Sequence, residues 1–437
     1  MASQHMPGGL SSQALAAVPI RGTEIPARQR TVAEFIPVLR PRLPSAAEIL
    51  AYLQEIDRRQ WYSNHGPLVS QLEERLSAHL RMPETGVVTV ANATAGITAA
   101  LLAREVEEGS YCIVPSWTFV ATPHAIRGAG LVPYFHDVDR DTWALNPAGL
   151  ADSIKHVRAK VRAVVVVSPF GAPLDVEAWQ AFEDRTGIAV VIDAAAGFDT
   201  VRPSRIPSVV SLHATKILGA GEGGFIATTD RRLLDRIRAC CNFGFHGSRS
   251  ALMPAMNAKM SEYHAAVALA ALDDWPLIRA RHMRITGWYR RWISAAAPSS
   301  LQPEYGDGWA TGTTSVVLPQ NSAEIMAGRL LRENIETRAW WGRGCHVQPA
   351  FAECPRGPLP ITDDLGGRVL GVPHFPDMGE GEVQKVVGAL KQALISPCAD
   401  SGTPENNTRA RRGRTRSARY IAPCSTPARK AILDAYR

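Results

Sequence analysis

Between residues 87 and 228 the chain alternates short apolar runs with amphipathic stretches. The runs are Val87–Ala91, Cys112–Pro115, Val132–Val138, Ala163–Ser168, Ala189–Ile192, Val209–Leu212 and Gly224–Thr228. Most are continuously apolar, which is how strands read when both faces are covered. The pattern predicts an α/β fold with one mostly parallel central sheet and helices on both sides. Upstream, Ala47–Leu80 has apolar residues at helical spacing, broken by the turn signal Asn64-His65-Gly66-Pro67. Downstream, Asp230–Cys241 and Ser261–Leu272 read as amphipathic helices, and the second leads into a long helix through Trp275–Ala295. Residues 300–396 repeat an α/β texture on a smaller scale.

These patterns divide the chain into four parts. Residues 1–30 form a loose leader rich in Ser, Ala, Pro and Gly. A large domain covers 31–275, a small C-terminal α/β domain covers 276–396, and a tail covers 397–437. The tail is rich in Thr, Arg, Asn and Pro, a disordered signature. It carries nine basic and three acidic residues, a net +6 of the chain's +7, so the body is nearly neutral. The Arg409–Arg419 cluster has no interleaved aromatics apart from Tyr420, so it reads as a solvated run, not a nucleic-acid site. A hydrophobic share of 46% suits a globular protein and excludes a mainly disordered, collagenous or coiled-coil chain. No apolar stretch approaches the roughly 18 residues of a membrane helix, and the first twenty residues lack a positive n-region followed by a long apolar h-region, so a secretory signal is not expected. The seven cysteines are odd in number and include no CxxC, which predicts reduced thiols in a cytoplasmic protein. Cys345-His346 is too isolated for a metal site, and none is expected.

Three features fall at the C-terminal ends of predicted strands, where open α/β sheets bind ligands. Asn92-Ala93-Thr94-Ala95-Gly96 precedes a helix, so its free N–H groups and the Thr94 hydroxyl suit a phosphate. An ordinary N-cap turn would look the same. Asp193 follows Ala189-Val190-Val191-Ile192; such a carboxylate either caps a helix or holds a proton on a heterocyclic nitrogen. Ser211-Leu212-His213-Ala214-Thr215-Lys216 runs into Gly219-Ala220-Gly221-Glu222-Gly223-Gly224. A lysine at that place is either a solvated surface group, as most lysines are, or loses hydration, which lowers its pKa and suits a Schiff-base nucleophile. The glycines also match G-x-G-x-x-G, but they lead into a strand and do not open a helix, which excludes a dinucleotide fingerprint.

Taken in this order, with Val114-Pro115-Ser116-Trp117-Thr118-Phe119-Val120-Ala121-Thr122 between the first and second, these motifs resemble the DegT/StrS sugar aminotransferases. The resemblance runs from about residue 30 to 395. It includes Asn64-His65-Gly66-Pro67, Asn257-Ala258-Lys259-Met260-Ser261-Glu262 and Val372-Pro373-His374-Phe375-Pro376. It implies fold type I of the pyridoxal phosphate (PLP) enzymes. It also implies a Schiff-base role for Lys216 and pairing of Asp193 with the pyridine nitrogen. Phe119 would stack on the cofactor, while Ala93 (through its N–H), Thr94 and Ser211 would hold its phosphate. His213 either lines that pocket or is a packed histidine. Asn257 would reach the phosphate of a neighbouring subunit, which implies a homodimer. Where the family often has glutamine after Asp-Ala-Ala, this chain has Ala196.

By the same resemblance, an amino acid, expected to be glutamate, donates its amine to a nucleotide-linked 4-keto-6-deoxy sugar. The diphosphate needs local cations, and Lys259, Arg338 and Arg343 are the candidates. Trp341 and His346 are candidates for the sugar pocket. A cyclitol or other cyclic ketone as acceptor fits the same residues. A PLP-binding regulator without turnover is the reading of a different class, and the Asp193/Lys216 pair speaks against it.

Overall fold

The computed structural model describes residues 35–395, except 84–85, 158–160, 295–300 and 320–321. The leader 1–30 and the tail 397–437 lie outside the described residues.

A seven-stranded sheet is built from β1 (Val87–Val90), β2 (Tyr111–Pro115), β3 (Val132–His136), β4 (Val161–Val167), β5 (Ala189–Asp193), β6 (Ser208–Ser211) and β7 (Gly224–Ala227). Each expected strand is present to within two residues. The spatial order is β1-β7-β6-β5-β4-β2-β3. Only β7 runs against its neighbours, pairing antiparallel with both β1 and β6. The helices α1 (Ala46–Arg59), α2 (Pro67–His79), α3 (Ala93–Ala103), α4 (Ala121–Gly128), α5 (Pro147–Ser153), α6 (Val176–Thr186), α7 (Arg231–Cys240), α8 (Glu262–Asp273) and α9 (Trp275–Ser294) accompany it. The Asn64–Pro67 break separates α1 from α2, with Pro67 as the first residue of α2.

The continuous apolar runs are explained by two cores, one on each side of the sheet. Along β5, Val190 and Ile192 enter the core formed with α2, α6 and α8. Val191, between them, enters the core formed with α3, α4 and α7. Successive side chains of a strand face opposite ways, so both parities must be apolar.

A third apolar cluster joins the later part of α9 to β8 (Thr314–Val317), α10 (Ala323–Arg332), β9 (Val369–Val372) and α12 (Glu380–Ile395). The strands β8 and β9 pair antiparallel, and α11 (Pro360–Arg368) leads directly into β9. Ile36, from the far end of the chain, packs into the same cluster and bridges to Ile335. Among the described residues, no helix is long and apolar enough to cross a membrane.

Parallel strands put the C-terminal ends of β1, β2, β5 and β6 on one edge. The N-terminus of antiparallel β7 joins them there. An antiparallel neighbour can be reached by a short loop without a crossover helix. The β6–β7 loop is therefore compact, and it carries Lys216. Gly221 and Gly223 have positive φ (85° and 150°) and close that loop by accepting bonds from Ala214 N and Leu212 N. The apparent dinucleotide glycines serve this turn.

Candidate active site

Asp193 ends β5 and is buried. The Thr122 hydroxyl donates to its Oδ2 at 2.7 Å, and the Ala195 N–H donates to Oδ1 at 3.1 Å. Burial pushes the carboxyl pKa up, while these two bonds and the charge of Lys216 pull it down. Thr122 is set by the first turn of α4 and lies 3.2 Å from the Thr118 hydroxyl, one turn earlier.

Lys216 sits in the β6–β7 loop, its N–H bonded to the His213 carbonyl. Protein surrounds the side chain, yet part of its surface stays accessible. Desolvation lowers its pKa, and attraction to Asp193 works the other way. The pair thus combines an amine stripped of water with a carboxylate held by neutral donors.

The third part is the N-terminus of α3. The Asn92 side chain caps the helix by accepting from Ala95 N at 2.9 Å. The first-turn N–H groups of Ala93 and Thr94 precede the helical ladder and stay available to an anion. Ala93 does not have a positive φ, so alanine replaces the common glycine without strain. Gly224 lies directly beneath: a Cβ there would come within 3.1 Å of the Ala93 nitrogen and 2.7 Å of the Val210 carbonyl. Ser211 pairs with Gly224 across the sheet and belongs to the same edge. This backbone-lined recess, the Asp193 carboxylate and the Lys216 amine have the chemistry that a phosphorylated pyridine aldehyde requires.

The segment after β2 forms one wall. Trp117 is buried and meets Trp143, Phe170 and Trp341 edge to face. Trp341 in turn stacks on Phe170 with centroids 4.1 Å apart. Phe119, two residues after Trp117, is 60% exposed. Trp117 is therefore packing, and Phe119 offers a free aromatic face. The loop carrying the predicted sugar residues is fastened to this wall. The Cys345 N–H donates to the Ser116 carbonyl at 2.7 Å, and His346 Nδ1 lies 2.7 Å from the Ser116 hydroxyl.

The family model for the DegT/DnrJ/EryC1/StrS aminotransferase family matches residues 45–391. The chain belongs to this family. It is an aminotransferase, and its cofactor is pyridoxal phosphate. A crystal structure assigned as a PLP-dependent aminotransferase from Bacillus cereus ATCC 10987 is 30% identical with a TM-score of 0.76, covering 82% of this chain and 100% of that one. DesI, solved in the presence of its TDP-sugar product, is 32% identical with a TM-score of 0.74, covering 83% of this chain and 94% of DesI. Protein Rv3402c of Mycobacterium tuberculosis is 28% identical over 377 residues, covering 82% of this chain and 90% of that protein.

Within this DegT/DnrJ/EryC1/StrS member, the remaining predicted residues fall into two groups. His346 is buried, between Ser116 and Asp363 (3.4 Å), and burial lowers its pKa. Arg343 is exposed on the same docked loop. His213 bonds its ring to the Thr215 hydroxyl at 2.8 Å and lies 3.7 Å from Glu222, so its local partners account for it. Arg338 instead pairs with Glu336 at 3.3 Å, lies over Trp340, and bonds by its backbone to Gly371 of β9. Asn257 is exposed and accepts from Lys259 at 2.8 Å; Lys259 also lies over the exposed Phe243 ring. Ala196 places its carbonyl 2.5 Å from where a Cβ on Gly171 would be.

Sequence reasoning quoted Thr122 but gave it no role, although it is the side-chain partner of Asp193. Two threonines at i and i+4 across the start of a helix, Thr118 and Thr122, were the available signal. Ser116 was also passed over, and nothing local marks it as the dock for a loop 230 residues away.

Proposed function

We propose that this aminotransferase moves the amino group of an amino acid, glutamate, to a nucleotide-linked 4-keto-6-deoxyhexose. The observation that carries the reading is the Asp193–Lys216 pair at the C-terminal edge of the sheet. The acceptor class is supported by likeness to DesI, which was solved with a TDP-sugar product. When bound, PLP supplies an electron sink for charge developing on the amine-bearing carbon. Lys216 would hold its aldehyde carbon until the donor amine displaces it, and the freed Nζ would then take the proton from the donor Cα and return it to the cofactor. Low pKa and partial access suit Lys216 to both tasks.

Asp193, fixed by Thr122 and the Ala195 N–H, keeps a proton on the pyridine nitrogen. Ala93 N–H, Thr94 and Ser211 hold the phosphate, and Phe119 covers the ring. The phosphate also receives Asn257 of the partner subunit, which makes the enzyme a homodimer. The exposure of Asn257, whose partner Lys259 lies over the exposed Phe243 ring, supports this. The loop bearing Trp341, Arg343 and His346 faces the sugar nucleotide. Five described cysteines are free and buried, which suits a reducing cytoplasm.

The test is direct. Protein loaded with PLP should absorb in the visible, lose that band to borohydride, and yield a labelled peptide at Lys216. Given glutamate and a nucleoside-diphosphate 4-keto-6-deoxyhexose, it should form the amino sugar detectable by mass spectrometry. Turnover of cyclitol ketones but no sugar nucleotide would replace the acceptor, and a label elsewhere would overturn the site.

A further inference from the structure

The turn that follows β4 holds its backbone where an aromatic residue is costly. Phe170 has φ 52° and ψ 24°, the left-handed region that glycine enters freely and a bulky side chain resists. Three side chains from other segments impose it. Gln302 Nε2 donates to the Pro169 carbonyl at 3.0 Å, the Thr311 hydroxyl to the Phe170 carbonyl at 3.1 Å, and the Thr200 hydroxyl to the Gly171 carbonyl at 2.9 Å. Gly171, at φ 91°, is tight against Ala196, the residue that stands where the family often has glutamine. Strain held by its surroundings in this way concentrates at functional sites.

What the strained turn delivers is the Phe170 ring. It stacks on Trp341 with planes 11° from parallel, and it meets Trp117 and Trp143 edge to face. Trp143 is itself left-handed, at φ 60°. Trp117 Nε1 donates to the Gly342 carbonyl at 3.3 Å, so a ring stack and a hydrogen bond together fix the chain at Trp341-Gly342. Ser116 fixes it again at Cys345-His346. Between these anchors stands Arg343, exposed and without an ion pair among the described residues. Its neighbours Gly342 and Gly344 have φ of 50° and 94°. Glycines turn freely, so the anchors are what limit where Arg343 can go.

We propose that Phe170 is a positioning residue for the acceptor, its ring setting Trp341 and, through it, the place of Arg343 before the acceptor arrives. The proposal rests on the reading that this loop faces a diphosphate-bearing acceptor, and it adds what holds the loop. The strain then has a use, because a guanidinium already in place loses less freedom on meeting an anion than a mobile one. The donor half of the reaction should not sense the ring. The Asp193 carboxylate is held by Thr122 and the Ala195 N–H, not by this turn.

Phe170→Leu keeps apolar bulk and removes the flat face, whereas Phe170→Tyr keeps the face. Calorimetric titration of the PLP-loaded enzyme with thymidine diphosphate reads the loop without turnover. Phe170→Leu should weaken binding by roughly tenfold and raise KM for the keto sugar as much, while Phe170→Tyr stays within about threefold of wild type. Glutamate should bleach the visible band at the wild-type rate in both, which also shows that each variant is folded. In a double-variant cycle with Arg343→Ala, adding Phe170→Leu should cost nothing further, because the group it positions is gone. Should Phe170→Leu not fold, Thr311→Val frees the Phe170 carbonyl and keeps the ring, and it should weaken binding by about threefold. The proposal is overturned if Leu and Tyr weaken binding alike, if the two losses simply add, if the glutamate step slows as much as the acceptor step, or if Thr311→Val changes nothing. Failure of the acceptor reading looks different: wild type then binds no thymidine diphosphate and turns over a ketone that carries none. The ring would still set Trp341, so Phe170→Leu should raise KM for that ketone, and an unchanged value overturns the positioning role as well.

Discussion

The C-terminal edge of the sheet and the 338–346 loop treat their charges in opposite ways. At the edge, Asp193 and Lys216 are stripped of water, and each is shifted toward its neutral form. On the loop, Arg338 and Arg343 remain exposed, and Arg338 is already matched by Glu336. Desolvated groups cost folding free energy and persist where chemistry needs them. Exposed arginines cost almost nothing and steer or hold a ligand. The edge should therefore set kcat and the loop KM.

The strongest test is Lys216→Ala, which should lower turnover by about 10^4-fold and abolish the visible band. Retained turnover with Lys216→Arg would break the comparison at its root. Asp193→Asn should follow with a loss on the order of 10^2–10^3 in kcat. Its stability effect runs the other way. The folded carboxyl pKa lies above the unfolded 3.8, so the fold loses stability as pH rises through that window and remains penalised at neutrality. The apo variant should melt at a higher temperature than apo wild type at pH 7, read by calorimetry.

Mixing inactive Lys216→Ala and Asn257→Ala subunits sharpens the assignment of shared sites. Half of randomly paired dimers are mixed, each with one intact site, so about a quarter of wild-type activity should return. No recovery on mixing would confine Asn257 to its own chain.

On the loop, Arg343→Ala should raise KM for the sugar nucleotide by roughly tenfold with kcat little changed. Arg338→Ala, tied to Glu336 and β9, should do less; unchanged KM in both removes the loop from substrate binding. The smallest effect concerns the buried imidazoles. Burial drops His282 to about 4 from 6.5 and holds His374 well below its usual value. Both are neutral and harmless above 6.5. Stability should decline as pH falls from there toward about 4, and His282→Gln should flatten the decline in denaturant midpoints.

Much of the site was legible because its residues are local to strand ends. The apolar runs placed β5 and β6, and the strand ends then placed Asp193, Ser211 and the lysine loop. Asn92 likewise announced both a cap and a phosphate turn, and it is a cap in fact. Thr122 and Ser116 were not legible. Each depends on a partner 71 or 230 residues away.

The chain's periodicity and local motifs by themselves determined the strands, their two-sided burial and the place of Lys216 just beyond a strand end. Strand and helix periodicity and helix caps are local physics, so they leave a trace in the order of residues, whereas the pairing of β1 with β7 does not. Which threonine holds Asp193 and which loop docks on Ser116 were decided only when distant segments packed. Burial and charge balance belong to the neighbourhood of a residue, and the neighbourhood exists only in the fold.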